Sequence, residues 1–186
     1  MIMNKMKYIL KNNRTGKEIP EFQTELEITF DQTHVNFEFY SKNSKFFSVS
    51  DQYNAALADG DVCEVFICVD ESRTKYYEVE ISPNGAEFLY LMTYKGFDTK
   101  IDEPILIEEP VEKSFLNSKV EIVGCDYKVK FSIPLNKIWV NENGCVVLNA
   151  FRIETEGGTP DKNLLALSPT MCNKFHHPEF FVEIKK

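Results

Sequence analysis

The sequence predicts an all-β fold: a two-sheet antiparallel β-sandwich, immunoglobulin-like or jelly-roll-like, of about ten strands. Three observations carry this expectation. Apolar and polar residues alternate with period two along most of the 186 residues. The alternating runs are short and separated by turn residues. No segment has a helical period, and 15 Phe and 8 Tyr favour strands. A lipocalin-like barrel fits the same pattern and stands as the structural alternative.

The elements follow in order. "ELEITF" sends Leu26, Ile28 and Phe30 to one side, and "HVNFEFY" does the same with Val35, Phe37 and Phe39. The polar link "DQTH" makes them a hairpin. "DVCEVFICV" is apolar on both faces except at Glu64, as expected of a central strand. "KYYEVEI" follows after "DESRT", again hairpin-like. "SPNG" is a turn, because Pro presets its backbone and Asn-Gly tolerates positive φ. "AEFLYLMTY" is the next strand. Residues 95–117 break the rhythm with two prolines and many acids, and read as a long crossing loop with at most a short edge strand at "ILI". "KVEIVGCDYKVKFSI" is a strand pair around Gly124, Cys125 and Asp126. "PLNKIWVNENG" is a turn or one helical turn, and "CVVLNAFRIET" a strong strand. "EGGTPDKN" is a loop, "LLALS" a short strand and "EFFVEIKK" the last one.

Residues 1–186 form one domain, long enough to bury a core without disulfide or metal support. The net charge is −8, with no basic run to meet a phosphate backbone, so nucleic acid is excluded as a partner. No stretch reaches the roughly 18 apolar residues of a membrane span, and an acidic surface suits anionic lipid poorly. The N-terminal "MIMNKMKYILKNNRTGK" has no apolar core of signal-peptide length. The expected location is therefore cytoplasmic; a chain whose leader has been removed is extracellular and reads the same. The five cysteines (63, 68, 125, 145 and 172) include no CxxC, which argues against zinc. Buried free thiols in a reducing compartment are expected.

Three carboxylates stand on strands rather than loops. Glu64 interrupts an apolar strand, and Glu78 and Glu80 share one face of its neighbour with Tyr76. Arg152 lies within a later strand between Phe151 and Ile153. Carboxylates on central strands are costly unless paired or wet. A cluster of Glu64, Glu78, Glu80 and Arg152 on one sheet face would be mutually compensating, since Arg can grip a carboxylate through two hydrogen bonds. A solvated outer face with incidental ion pairs accounts for the same residues. So does a concave polar floor for hydroxyl groups, which donate and accept at once. In "SPTMCNKFHHPEFFVEI", a loop can place Phe175, with Asn173 or His176, over a ligand; ordinary loop packing is the alternative.

Catalytic signatures are weak. No GxSxG, Walker A, GxGxxG or HExxH pattern occurs. No cofactor is expected. Calcium is the one candidate ion, because "DGD" at 59–61 and the loop "DESRT" are oxygen-rich, although EF-hand spacing is lacking.

Three stretches taken together resemble the family 9 carbohydrate-binding modules, within a DOMON-like β-sandwich superfamily: "DGDVCEVFICVDESRTKYYEVEISPNG", "VVLNAFRIET" and "SPTMCNKFHHPEFFVEI". They occur in the family's order and span residues 59–184. The resemblance implies non-catalytic binding of a mono- or oligosaccharide, alone or beside a sugar-active enzyme. It implies sugar contacts at Glu64, Glu78, Glu80 and Arg152, and an aromatic wall at Phe175. The family's sugar binders clamp the ligand between two tryptophans. Here the one Trp, Trp139, lies outside both wall positions; the first falls near Ala58, with Tyr53 as a substitute. Three other readings stay open. One is a hydrolase using a Glu pair. Another is a sandwich that binds heme or another small molecule, with Met92 and His176 available to hold a heme. The third is a degenerate module kept for protein contacts.

Overall fold

The computed structural model describes residues 5–42 and 45–186. Strands follow in chain order: β1 (Lys5–Ile9), β2 (Lys11–Asn12), β3 (Thr24–Phe30), β4 (His34–Ser41), β5 (Val62–Cys68), β6 (Lys75–Ile81) and β7 (Glu87–Asp98). Then come β8 (Glu103–Pro110), β9 (Asn117–Val123), β10 (Asp126–Pro134), β11 (Cys145–Glu154), β12 (Asn163–Ala166) and β13 (Val182–Lys185). One sheet has five strands in the order β1-β3-β4-β10-β9. The other has eight, β2-β12-β11-β5-β6-β7-β8, with β13 also pairing β11. The fold is a two-sheet antiparallel sandwich with thirteen strands among the described residues, rather than a barrel.

Local chemistry sets the hairpins. Asp31 Oδ1 accepts from the backbone N–H of Thr33 at 2.7 Å and of His34 at 2.8 Å, closing the β3–β4 turn. The Ser82–Gly85 turn joins β6 to β7, and Gly85 sits at φ 87°, where a side chain is strained. The apolar face of each strand then meets the opposite sheet. Leu26, Ile28, Phe37, Phe39, Val65 and Val79 are among the residues of this shared core. Phe37 and Phe131 stack there at 5.1 Å.

Three expectations need correction. The 95–117 crossing loop is mostly β-structure: β7 runs on to Asp98 and turns back into β8. The period is broken by a bulge between Tyr94 and Gly96, with Gly96 at φ 136°. Pro104 and Pro110 are tolerated because β8 is the sheet's edge. β1 and β2 were not expected. β1 carries Lys5 and Lys7 outward on the edge of the five-stranded sheet, which hides its pattern. The cysteines are not all buried: Cys125 is exposed in the β9–β10 turn and Cys172 is half-buried. None of the described helices, all short 3-10 turns, is long and apolar enough to cross a membrane.

The shared core predicts a specific cost. Phe37→Ala, at a position 1% exposed, should lower unfolding free energy by about 3–5 kcal/mol in urea titrations.

Candidate functional site

Strand register decides which residues share a face. Glu64 of β5 pairs with Glu80 of β6 on one side and with Phe151 of β11 on the other. Phe66 pairs with Glu78 and Asn149. These residues therefore point away from the shared core, toward the outer face of the eight-stranded sheet.

That face is not open to water. The segment 167–181 folds across part of it. Phe175 stacks on Phe151 at 4.1 Å, and His176 stacks on Phe66 at 4.8 Å. Phe181 meets Tyr76 edge-on at 5.2 Å. Two fully buried asparagines tie the segment down. Asn149 Nδ2 donates to Ser168 O at 2.8 Å, and Asn149 Oδ1 accepts from Ser168 N at 3.0 Å. Asn13 Nδ2 donates to Thr170 Oγ1 at 2.7 Å, and its Oδ1 accepts from Thr170 N at 2.9 Å. The lid is thus fixed by paired amide hydrogen bonds and aromatic stacking.

Between lid and sheet lies a cleft of about 600 Å³. Its floor is Glu64, Glu78 and Glu80, and Phe66, Phe175 and His176 line it. Lys162, Lys174 and Arg14 stand at its border. A smaller depression of about 350 Å³ lies on the outer face of the five-stranded sheet, around Asn36 and Lys130. It is a solvated face whose Lys130 pairs with Glu38 at 3.0 Å, and it gathers no buried carboxylate.

The floor is electrostatically tense. Glu64, Glu78 and Glu80 are 2%, 6% and 4% exposed, and an oxygen of each lies within 4.8 Å of the others. Burial holds Glu78 well above the usual carboxylate range, and Glu80 and Glu64 add to it. Burial, then Glu80, does the same to Glu64, while Lys162 pulls the other way. Burial pushes Glu80 up to about 7, against a hydrogen bond from Glu78 and the charge of Lys162. The three share protons as one unit. Burial also depresses His176 to about 4, so the imidazole is neutral. Its Nδ1 meets the Tyr76 hydroxyl at 2.8 Å, and its Nε2 lies 3.8 Å from Glu78 Oε1. With Tyr76 donating to Nδ1, the proton sits on Nε2 and points at the floor.

The cleft brings together six of the seven residues marked in the sequence: Glu64, Glu78, Glu80, Asn173, Phe175 and His176. Asn173 is exposed, at the edge of the cleft. Arg152 is the correction. It pairs with Cys63, one residue out of phase with Glu64, and so points into the sandwich. There it is 0% exposed. Its Nη2 donates to Glu154, and its Nη1 donates to Thr24 Oγ1 at 2.9 Å, Lys42 O at 3.0 Å and Phe22 O at 3.1 Å. Its guanidinium also lies over the Tyr127 ring at 5.4 Å. It compensates Glu154, not the floor.

Tyr53 does not replace the missing wall. It packs against the shared core, and its hydroxyl donates to Val111 O at 2.6 Å. Trp139 packs beside the outer aromatic cluster, and Met92 is buried within it. The oxygens that suggested calcium are committed to protein donors. Asp59 pairs with Lys162, Asp61 accepts from Thr155 and Phe47, and Asp70 closes its own turn through Ser72. Sequence reasoning missed Asn13, Asn149 and Lys162. Asn149 had a legible signal, as a lone amide in an apolar strand; Asn13 had none.

No protein-family model and no curated protein matches the sequence. Among solved structures, the chain is similar to a candidate carbohydrate-binding protein from Bacteroides uniformis ATCC 8492, with 12% identity and a TM-score of 0.72, covering 96% of this chain and 84% of that one. It is also similar to a family 9 carbohydrate-binding module from Caldicellulosiruptor kristjanssonii in complex with glucose, with 12% identity and a TM-score of 0.64 over 96% and 83% of the two chains. For that organism's module in complex with cellotriose, identity is 11% and the TM-score 0.66, over 96% and 80%. At these identities the likeness shows the fold. The sandwich is that of the family 9 carbohydrate-binding modules, as the three motif stretches implied.

Two outcomes follow from the buried charges. Glu80 rises from 4.5 unfolded to about 7 folded, so the folded state binds more protons between those values. Its contribution is present at low pH and is lost as pH rises through 7. Glu154 is also pushed up to about 7, burial outweighing Arg152, and adds to this trend. His176 works oppositely, lowering stability as pH falls from 6.5 toward 4. The carboxylates outnumber it. Urea midpoints in chelator-treated buffer should fall between about pH 5.5 and about pH 8, and Glu80→Gln should flatten the decline. Separately, Arg152→Met should cost about 3–5 kcal/mol in urea unfolding, because it strands buried Glu154. Arg152→Met with Glu154→Gln should recover part of that.

Proposed function

We propose that the cleft binds a carbohydrate, a mono- or oligosaccharide, without catalysis. The observation that carries this reading is a buried floor of three carboxyl groups beneath aromatic side chains, on the sheet face of a fold shared with sugar-binding modules. Sugar hydroxyls donate to ionised carboxylates and accept from protonated ones, and a floor that shares protons offers both. Apolar sugar C–H faces suit Phe175 and Phe66, which line the same space. His176 Nε2–H and Asn173 supply further polar contacts at the lid.

Binding without turnover fits the geometry better than hydrolysis. A glycosidase sets two carboxyl groups on either side of the scissile bond. Here Glu64, Glu78 and Glu80 come from adjacent strands and lie on one side of the cleft. One aromatic wall is present, at Phe175; Ala58 occupies the other border and offers no ring. Affinity therefore rests on the polar floor more than on stacking. The reading also extends to a sugar-active enzyme as a partner beside which such a module works.

Isothermal titration with glucose, cellotriose and a panel of other saccharides tests this. Saturable binding is expected, with no release of reducing sugar on prolonged incubation. Glu64→Ala and Phe175→Ala should each weaken it at least tenfold, a loss of about 1.4 kcal/mol or more. Binding untouched by both substitutions, or no binding across the panel, would overturn the assignment.

A further inference from the structure

We propose that Glu64, Glu78 and Glu80 hold a divalent cation of the calcium class, and that this ion presents its free positions to sugar hydroxyls in the cleft. The second half rests on the carbohydrate reading above; the first does not.

The donor atoms have the right spacing. One oxygen from each residue lies within 4.8 Å of the other two. Oxygens around calcium sit about 2.3–2.6 Å from the ion, so pairs can be no more than about 5 Å apart. The donor set is all oxygen, with no thiol or imidazole among the three, which selects a hard cation over zinc or copper.

The cluster also contains unsatisfied atoms. Glu64 Oε1 and Glu80 Oε2 are buried acceptors with no hydrogen-bond partner, on residues 2% and 4% exposed. Both residues line the cleft. Buried polar atoms are nearly always partnered, so two orphans in one cluster point to a group that binds there.

No lysine or arginine among the described residues pairs with the floor. Among the described residues, His176 alone brings a basic nitrogen within ion-pair reach of the floor, 3.8 Å from Glu78. Lys162 Nζ is engaged with Ala58 O and Asp59 Oδ1, both at 2.8 Å. Lys174 pairs with Glu103 at 2.5 Å. Arg152 faces the other side of the sheet.

Three carboxylate oxygens fill only part of a shell of about six to eight. The remaining positions open into a cleft of about 600 Å³. Water fills them in the resting protein. Two neighbouring sugar hydroxyls replace two waters without changing the ion's charge, so the ion and the sugar bind cooperatively.

The test uses the full chain, stripped with EDTA and titrated calorimetrically with calcium, magnesium and manganese chlorides, then with saccharides in calcium or in EDTA. One ion per chain is expected, weakened at least tenfold in Glu64→Gln and in Glu80→Gln, with circular dichroism verifying that both variants fold. Sugar binding should vanish in EDTA and return with the ion. If no ion binds at millimolar concentration, or the Gln variants bind it as well as wild type, the proposal is overturned. Sugar binding that is equal in EDTA overturns the ion's part in holding the sugar, while leaving the carbohydrate reading intact. An ion bound with no saccharide recognised upholds the cation site and removes the carbohydrate reading instead.

Discussion

The cleft depends on one alignment, Glu64 opposite Glu80 across β5 and β6. Strands have a side-chain period of two, so this register puts Glu64, Glu78, Glu80 and Tyr76 on the outer face together. It puts Val65, Ile67 and Val79 in the shared core at the same time. A slip by one residue would bury the acids between the sheets and expose the valines. Core packing therefore enforces the assembly of the acidic floor, although like charges opposed across a strand pair repel. The floor is an arrangement that local electrostatics opposes and the rest of the sandwich imposes.

Two of the sheet's buried charged centres, one on each face, differ in kind. Inside, Arg152 and Glu154 pair with one another, and Thr24 Oγ1, Lys42 O and Phe22 O accept from Arg152 Nη1, while its buried Nε has no hydrogen-bond partner. Such a centre carries its own counter-charge, and its role is to pin the β11 strand to the β3–β4 hairpin. Outside, among the described residues, no lysine or arginine pairs with the three glutamates, which border open space. Their strain is relieved only by protons or by something that enters. A closed ionic centre supports a fold, whereas an open one under a fixed lid is the arrangement expected of a site. The lid is fixed: Asn13 and Asn149 each use both ends of an amide on it.

Much of this was legible in the sequence. Alternation located β3, β4, β6, β7, β9 and β10, whereas β5 and β11 were legible as nearly unbroken apolar runs because both of their faces are buried. It placed Tyr76, Glu78 and Glu80 on one face correctly, since period two within a strand needs no partner. Arg152 was misplaced for the complementary reason. Its face relative to Glu64 depends on the β5–β11 register, and no periodicity within either strand encodes that. Glu154, two residues on, shared its side and its charge complement, and was the signal that an inward pair existed. β8 was obscured by its prolines and by the bulge before Gly96. Asn13 was invisible because its partner Thr170 lies 157 positions away.

The border of the cleft at Ala58 offers no aromatic ring. A sugar held between two rings gains from stacking on both of its faces, and a floor need only orient it. Here Phe175, Phe66 and His176 line the cleft, but each is already stacked within the protein, Phe175 on Phe151 at 4.1 Å and His176 on Phe66 at 4.8 Å. On the proposed carbohydrate reading, recognition then rests on the floor. Neutral hydrogen bonds exchange for water at modest net gain, about 0.5–1.5 kcal/mol each, whereas bonds to charged groups contribute about 1.5–3 kcal/mol. Three clustered carboxyl groups in a low-dielectric cleft can stay ionised only if a positive charge joins them. The missing wall and the unbalanced floor thus lead to the same place. If the cleft binds a sugar as proposed, reduced stacking leaves the strength to charge, and among the described residues no lysine or arginine pairs with the three carboxyl groups to supply the counter-charge.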